Sequence, residues 1–238
     1  MSKAATLIAL ATLNEIDNLP SLVDAILQVV PDADILVVDD NSPDGTGRWC
    51  DERAKDEPRL KCVRREAKRG LGSATIDAMR LAISGDYSVI VTMDADWSHD
   101  PAYLPALVAA TAGADVVIGS RYCPGGAIEG WPLRRRVLSQ LMNTFSHALL
   151  HLPVQDSSGA FRAYRVATLQ KLNLDEIKST GYAYLEEILC HLHRMGARFT
   201  EVPITFRDRR GGRSKSGLRI AKDKLRTVLR LAGERRPS

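Results

Sequence analysis

Through the first half of the chain, short continuous apolar runs alternate with stretches in which apolar residues recur every three to four positions. The stretches at 6–11, 35–38 and 89–93 are mostly apolar rather than alternating, and 60–63 and 115–118 read as further strands. Strands covered on both faces of a parallel sheet have that pattern. Between them, 19–30, 46–57, 72–83 and 101–111 carry helical spacing. The repeated β-α-β order predicts a doubly wound α/β fold, in which ligands gather at the carboxyl ends of the strands. Those ends carry acids: Asn14-Glu15 follows the first run, Asp39-Asp40 closes the second, and Asp94-Ala95-Asp96 closes the run at 87–93.

After residue 120 the pattern changes. Residues 121–130 are rich in Gly and Pro and read as a loop, and 132–152 as an amphipathic helix opening on Arg134-Arg135-Arg136. Residues 155–165 read as irregular or extended, 167–172 as a short helix and 183–195 as a longer one. Residues 199–206 alternate like a single strand, and 218–231 form a basic amphipathic helix. The expected organisation is one α/β domain over 1–217, then a basic helix and tail over 218–238.

Side chains two apart on a strand point the same way, so Asp94 and Asp96 present two hard oxygen ligands together. That suits a divalent cation held against a diphosphate. The alternative is that these acids cap the helix expected to start near Ser98-His99-Asp100-Pro101. In the segment from Asp39 to Thr46, Pro43-Asp44-Gly45 is a turn and Asp44 or Thr46 an N-cap. Asp39 and Asp40 remain to accept hydrogen bonds from a base or ribose. Arg69-Gly70-Leu71-Gly72 opens a helix where backbone N–H groups can approach phosphate. It is neither a P-loop nor a full G-x-G-x-x-G, which disfavours ATP cleavage and a dinucleotide cofactor. His147 with His151, and His191 with His193, lack the acidic third ligand or the shared face that a metal site needs.

The net charge of +4 is uneven, because residues 207–236 are heavily basic. Within that stretch, Arg207 to Lys215 combines guanidinium groups with glycines, a composition able to close over a phosphate-bearing ligand. It contains no aromatic side chain for base stacking, which argues against nucleic acid. The four cysteines form no C-x-x-C pair, the chain opens without a signal peptide, and no run of about 18 apolar residues occurs. The expectation is a cytoplasmic protein, at most peripheral on the cytoplasmic face of a membrane.

In order along the chain, these residues resemble the dolichyl-phosphate (polyprenyl-phosphate) mannose synthases, within the inverting GT-A glycosyltransferases of family 2. The resemblance runs from about Leu7 to Lys215. It rests on Asn14-Glu15 with Asn18-Leu19, the Asp39–Thr46 segment, Gly70-Leu71-Gly72 and Met93-Asp94-Ala95-Asp96-Trp97-Ser98-His99. It continues through Gly119-Ser120-Arg121-Tyr122, Gly125-Gly126, Trp131, Arg135 with Ser139, and Asp156 with Ser158-Gly159-Ala160-Phe161-Arg162. Glu187, Glu201-Val202-Pro203-Ile204 and Asp208-Arg209 with Gly212, Ser214 and Lys215 complete it. The family's usual Pro-x-Tyr-Asn-Glu is here Ala11-Thr12-Leu13-Asn14-Glu15, without the aromatic that would stack on a base, and Leu185 replaces a polar residue.

The resemblance implies a GT-A sheet flanked by helices, GDP-mannose as donor, a polyprenyl (dolichyl) phosphate as acceptor, and Mg²⁺ or Mn²⁺ as cofactor. It implies donor contacts from Asn14, Glu15, Asp39, Asp40, Gly70, Gly72, Asp94 and Lys215, and a metal set of Asp94, Asp96 and Ser98. Arg121, Arg135 and Ser139 would hold the acceptor phosphate, and Asp96, Arg121 and Arg209 form the implied catalytic set. An acceptor phosphate is already anionic and needs no general base. The helices at 132–152 and 218–231 could lie on a membrane surface, or a small membrane subunit could anchor the chain. The competing readings are a UDP-glucose-dependent or other family 2 transferase, and a nucleotide- or nucleic-acid-binding module without turnover.

Overall fold

The computed structural model describes residues 5–67, 70–208 and 218–234. In chain order the elements begin with β1 (Thr6–Thr12), α1 (Leu19–Val29), β2 (Asp34–Asp39), α2 (Thr46–Asp56), β3 (Leu60–Arg64), α3 (Leu71–Ser84) and β4 (Val89–Asp94). Next come α4 (Leu104–Ala110), β5 (Val116–Ser120), β6 (Ala127–Glu129), α5 (Leu133–Leu150), β7 (Arg162–Arg165) and α6 (Val166–Leu169). The last are α7 (Tyr184–Arg194), β8 (Phe199–Pro203), β9 (Thr205–Arg207) and α8 (Leu218–Gly233).

The main sheet has seven strands in the order β3-β2-β1-β4-β7-β5-β8. All neighbours are parallel except β7, which runs antiparallel between β4 and β5. The apolar runs have a simple cause. Leu7 and Ala9 of β1 face one layer with Met79 and Ala82 of α3 and Ile188 and Leu189 of α7. Ile8 and Leu10 face the other layer with Leu22, Val23 and Ile26 of α1. The central strands β1, β2 and β4 are buried on both faces, so their middle positions are mostly apolar. Register brings the acidic ends together: Thr12 lies opposite Asp39, and Ala11 opposite Asp94.

Two expectations change. The loop expected at 121–130 contains β6, and the single strand expected at 199–206 is two. β8 pairs with β5 and stops at Pro203, where proline has no N–H to continue the ladder. Ile204 donates to Ser120 O and accepts from Ala127 N, so the chain changes sheets at this residue. β9 then pairs with β6 in a separate two-stranded sheet. Period-two alternation marks a strand but not its partner. The irregular or extended stretch at 155–165 ends in β7.

This small sheet fixes the end of β5, and Gly126 is the tight point. A Cβ there would lie 2.6 Å from Ser120 O and 2.8 Å from Arg121 O, both backbone atoms. Gly126→Ala is expected to cost about 1–3 kcal/mol and to lower Tm by several degrees. An unchanged thermal midpoint would show that the loop yields without cost.

Candidate active site

The acidic end of β4 is shaped by its own turn. Trp97 has φ 62°, a left-handed kink that swings the chain back after Asp96. Ser98 then donates both its backbone N–H (3.1 Å) and its hydroxyl to Asp96 Oδ1. Ser98, expected as a metal ligand, thus lies against the Asp96 carboxylate and orients it. The helical turn that follows is capped by Asp100, whose carboxylate accepts from Ala102 N at 3.0 Å. Capping therefore does not account for Asp94 and Asp96.

His99 holds Asp94 from behind. Its Nδ1 accepts the Asp94 N–H at 3.1 Å, so that nitrogen carries no proton. Burial, with the charge of nearby Arg121 adding to it and Asp96 opposing, pushes the imidazole down to about 4. The neutral ring stacks on Phe161 at 5.0 Å and meets the edge of Phe206 at 5.4 Å.

Asp94 is 28% exposed and the whole Asp96 residue 8%. Among the described residues, no group of three or more His, Cys, Asp or Glu is arranged to hold a cation. Two hard carboxylates that leave the remaining ligands to a diphosphate and water fit Mg²⁺ or Mn²⁺.

On the donor side, three loops are laced together. The Asn14 N–H donates to Ser42 Oγ (2.9 Å) and the Glu15 N–H to Thr46 Oγ1 (3.0 Å). Asn14 adopts φ 62°, a conformation asparagine tolerates better than most residues. Asp39 was expected to contact the donor, but it is 1% exposed. Its carboxylate accepts from Thr12 Oγ1 and from both the N–H and hydroxyl of Ser42. Asp39 is therefore scaffold, joining the ends of β1 and β2. Asp40 is 5% exposed, accepts the Gly70 N–H at 2.9 Å and pairs with Arg65 at 3.2 Å. It thus holds the entry to α3 against the end of β2. Gly72 is needed for contact, because a Cβ there would lie 2.8 Å from Ser179 O. Beneath these loops lies a small pocket lined by Ala11, Val38, Leu71, Thr75, Asp94 and Tyr184, among others. Tyr184 is buried, and its hydroxyl receives a hydrogen bond from Thr75 Oγ1 at 3.3 Å.

On the other side stands Arg121, at the end of β5. Its Nε and Nη2 grip Asp156 in a fork, both at 2.7 Å, and Nη2 also donates to Ser158 Oγ. Asp156 is fully buried. Burial alone would raise its carboxyl, but the charge and hydrogen bonds of Arg121 outweigh it and hold Asp156 at about 2. Arg121 is expected to bind the acceptor phosphate. Its fork is committed inside the protein, and among the described residues only Nη1 makes no hydrogen bond.

Arg135 pairs with Asp208 at 3.2 Å and lies over the Trp131 ring at 3.9 Å. Ser139 Oγ accepts from the Tyr122 hydroxyl at 2.8 Å. Arg121 sits 5.3 Å from the Tyr122 ring and 5.3 Å from Phe206. The expected acceptor trio thus shares one aromatic-walled region, and Phe206 joins that region to His99 and Asp94. Arg209 and Lys215 lie outside the described residues.

Glu187 is spent elsewhere. One oxygen accepts from Lys178 N and Arg230, the other from Ser179 N. His99, Asp156 and Tyr184 are site-building residues to which the sequence reading gave no role. Asp156 and His99 stood within quoted motifs, and Tyr184 carried no signal beyond its apolar context.

Residues 7–172 match the model of Glycosyl transferase family 2. The chain is 44% identical over 204 residues to an undecaprenyl-phosphate mannosyltransferase of Micrococcus luteus, covering 86% of this chain and 84% of that one. It is 44% identical over 212 residues to a polyprenol monophosphomannose synthase of Mycolicibacterium smegmatis, covering 88% and 80%. Among solved structures, it resembles glucosyl-3-phosphoglycerate synthase from Mycobacterium tuberculosis in complex with Mn²⁺, UDP and phosphoglyceric acid. That match has a TM-score of 0.74 and 20% identity, over 98% of this chain and 80% of that one. A mannosyltransferase from Pyrobaculum calidifontis, in complex with GDP-Man and Mn²⁺, has a TM-score of 0.66 and 18% identity, over 99% and 66%. These two likenesses establish the shared fold.

The Arg121–Asp156 pair makes a pH prediction. Asp156 is depressed in the fold, to about 2, from ~3.9 when unfolded. Its stabilisation is therefore fully present above about pH 4 and drains away as pH falls toward 2. Asp156→Asn leaves Arg121 buried without its counter-charge and is expected to cost about 3–5 kcal/mol. The variant's stability should also fall less steeply between pH 4 and 2, measured by denaturant unfolding. Parallel slopes for variant and wild type would refute the assignment.

Proposed function

The chain belongs to glycosyl transferase family 2, and from that premise we propose that it transfers mannose from GDP-mannose to a polyprenyl phosphate. Single displacement inverts the anomeric carbon and gives polyprenyl phosphate β-mannose. The observation that carries this reading is the adjacency of an acidic strand end to a region where the guanidinium groups of Arg121 and Arg135 meet around aromatic rings. Asp94 is held by His99, His99 touches Phe206, and Phe206 lies against both Arg121 and Trp131 beneath Arg135.

A divalent cation held by Asp94 and Asp96 would supply Lewis-acid stabilisation of the leaving diphosphate. Ser98 presets the Asp96 carboxylate for that cation, and His99 presets the backbone of Asp94. Asn14, Glu15, Asp40, Gly70 and Gly72 frame the nucleoside side, with Asp39 as their support. Arg121 Nη1, Arg135 and Ser139 receive the acceptor phosphate. Two anions held close in fixed orientation is catalysis by position and charge. The acceptor oxygen already carries its charge, so no base is needed. That agrees with Glu187, whose two oxygens are both engaged by other groups. Arg209 and Lys215 extend the same basic surface in sequence and would close over the phosphates.

No helix among the described residues is long and apolar enough to cross a membrane. α5 presents Leu133 at 75%, Leu138 at 55% and Leu141 at 62% exposure, with Val137 and Phe145 beside them. Arg134 and Arg136 are exposed at the same end of the helix, next to Trp131 and Arg135. An apolar stripe with basic neighbours suits an anionic lipid surface. We therefore place the enzyme on the cytoplasmic face of a membrane as a peripheral protein. The base preference is open to the UDP-sugar reading at one residue, Leu13, where the stacking aromatic is missing. The mannosyl relatives favour GDP-mannose.

Purified protein with labelled GDP-mannose, Mn²⁺ and undecaprenyl phosphate is expected to yield an organic-extractable mannolipid. Equal or better turnover of UDP-glucose would move the assignment to the glucosyl reading. Asp96→Asn should lower metal-dependent transfer by ~100-fold or more, with an unchanged circular dichroism spectrum. Activity within a few-fold of wild type would reject the cation role. Replacing Leu138 and Leu141 together by Ser should weaken binding to anionic vesicles by roughly tenfold or more, read by flotation. Undiminished binding would remove α5 as the contact and turn attention to a membrane-anchoring subunit.

A further inference from the structure

We infer that the indole N–H of Trp131 donates a hydrogen bond to the acceptor phosphate, completing a cradle with Arg121 and Arg135. This rests on the reading that the acceptor carries a phosphate monoester.

Trp131 is 8% exposed, and its Nε1 has no hydrogen-bond partner. Buried donors in native folds are nearly always satisfied, and an exception calls for an explanation. The contrast within this chain is direct. Trp97, more accessible, gives its Nε1–H to Ser21 Oγ at 3.1 Å.

The surroundings of the orphaned N–H specify its partner. The Arg135 guanidinium lies over the indole at 3.9 Å and that of Arg121 at 5.7 Å, while Phe206 packs edge-on at 5.3 Å. Indole N–H and guanidinium groups only donate, so the ligand must be rich in acceptor atoms. Two cations beside it make that ligand an anion. Arg121 contributes Nη1, the one nitrogen of its guanidinium that Asp156 and Ser158 leave unused. Trp131 also stands two residues before α5, an 18-residue helix with no side-chain cap and no acid in its first turn. The positive end of that helix adds to the same field.

The position of Trp131 is built. Gly130 precedes it with φ 80°, and a Cβ there would lie 3.0 Å from Asp208 Cβ. Asp208 in turn donates its N–H to Glu129 O and pairs with Arg135. The strands β6 and β9 therefore clamp the tryptophan between the two arginines. Its packing needs a ring but not an N–H, and the two roles can be separated.

Trp131→Phe keeps an aromatic ring under Arg135 and removes the donor together with part of the ring volume. It should raise KM for undecaprenyl phosphate roughly tenfold or more, the loss of one charge-assisted hydrogen bond. KM for GDP-mannose should stay at the wild-type value. The thermal midpoint should change by no more than a few degrees, because the removal of a buried unsatisfied donor is offset by the space the smaller ring leaves. A lower midpoint with equal losses in both KM values would mean Trp131 is structural, and the inference would fall.

A second measurement does not depend on turnover. In ¹⁵N-indole-labelled full-length protein, Trp131→Phe identifies the Trp131 signal among those of the three tryptophans. Titration with farnesyl phosphate should shift that proton downfield, and GDP with Mg²⁺ should not. A shift with GDP alone would assign the N–H to the donor diphosphate and overturn the inference. No shift with farnesyl phosphate, at concentrations where calorimetry shows it bound, would overturn it as well. If the wild-type protein transferred no mannose to any polyprenyl phosphate, the functional reading would fail, and the farnesyl phosphate titration would still decide the role of the indole.

Discussion

The proposed acceptor half of the site depends on one buried ion pair, Arg121 with Asp156. Asp156 gathers the backbone N–H of Arg121, two guanidinium nitrogens, and the N–H groups of Ser158 and Gly159. Its own N–H and that of Gln155 go to Glu201 on β8. Two carboxylates, Asp156 and Glu201, thus tie the end of β5, the loop before β7 and the neighbouring strand β8 into one corner. Removing two charges from water is expensive, and the geometry here offsets that cost by satisfying nearly every donor and acceptor involved. A rigid corner is what a pocket for an anion needs, since guanidinium groups left mobile would lose entropy on binding.

The side with the expected donor contacts is held together by hydrogen bonds to carboxylates among loops. Asp39, Ser42, Asp44 and Thr46 bond one another and the N–H groups of Asn14, Glu15 and Ile16. Between the halves runs a line of rings: Phe161 against His99, His99 against Phe206, Phe206 against Trp131. His99 stays neutral on this line because burial disfavours its charge. A protonated ring would lose the Nδ1 bond that fixes Asp94. Metal-side and phosphate-side groups are consequently placed by packing rather than by mutual contact.

Much of the sheet was legible because burial on both faces leaves a continuous apolar run, a local signal. The strand-end acids were legible for the same reason: charge at the edge of such a run stands out. Roles were less legible than positions. Asp39 and Asp40 are adjacent and chemically identical, yet one supports β1 and the other holds Gly70. The sequence pattern did not show that Ser98 bonds the Asp96 carboxylate. The split of 199–206 into β8 and β9 and the strand β6 were hidden because their pairing is non-local. Asp156 read as a loop residue, since its partner Arg121 lies 35 positions away.

The C-terminal helix has a different standing from that of an appendage. Arg230 closes on Glu187, Glu187 holds the N–H groups of Lys178 and Ser179, and the next carbonyl, Thr180 O, receives the Gly72 N–H at the mouth of α3. Val228 and Leu231 are fully buried in the main core. A chain ended before residue 218 would leave the Glu187 carboxylate enclosed without its counter-ion and uncover an apolar floor beside α7. The last helix is a keystone of the nucleotide side, and evolution or engineering can restyle its outer face far more freely than it can dispense with it.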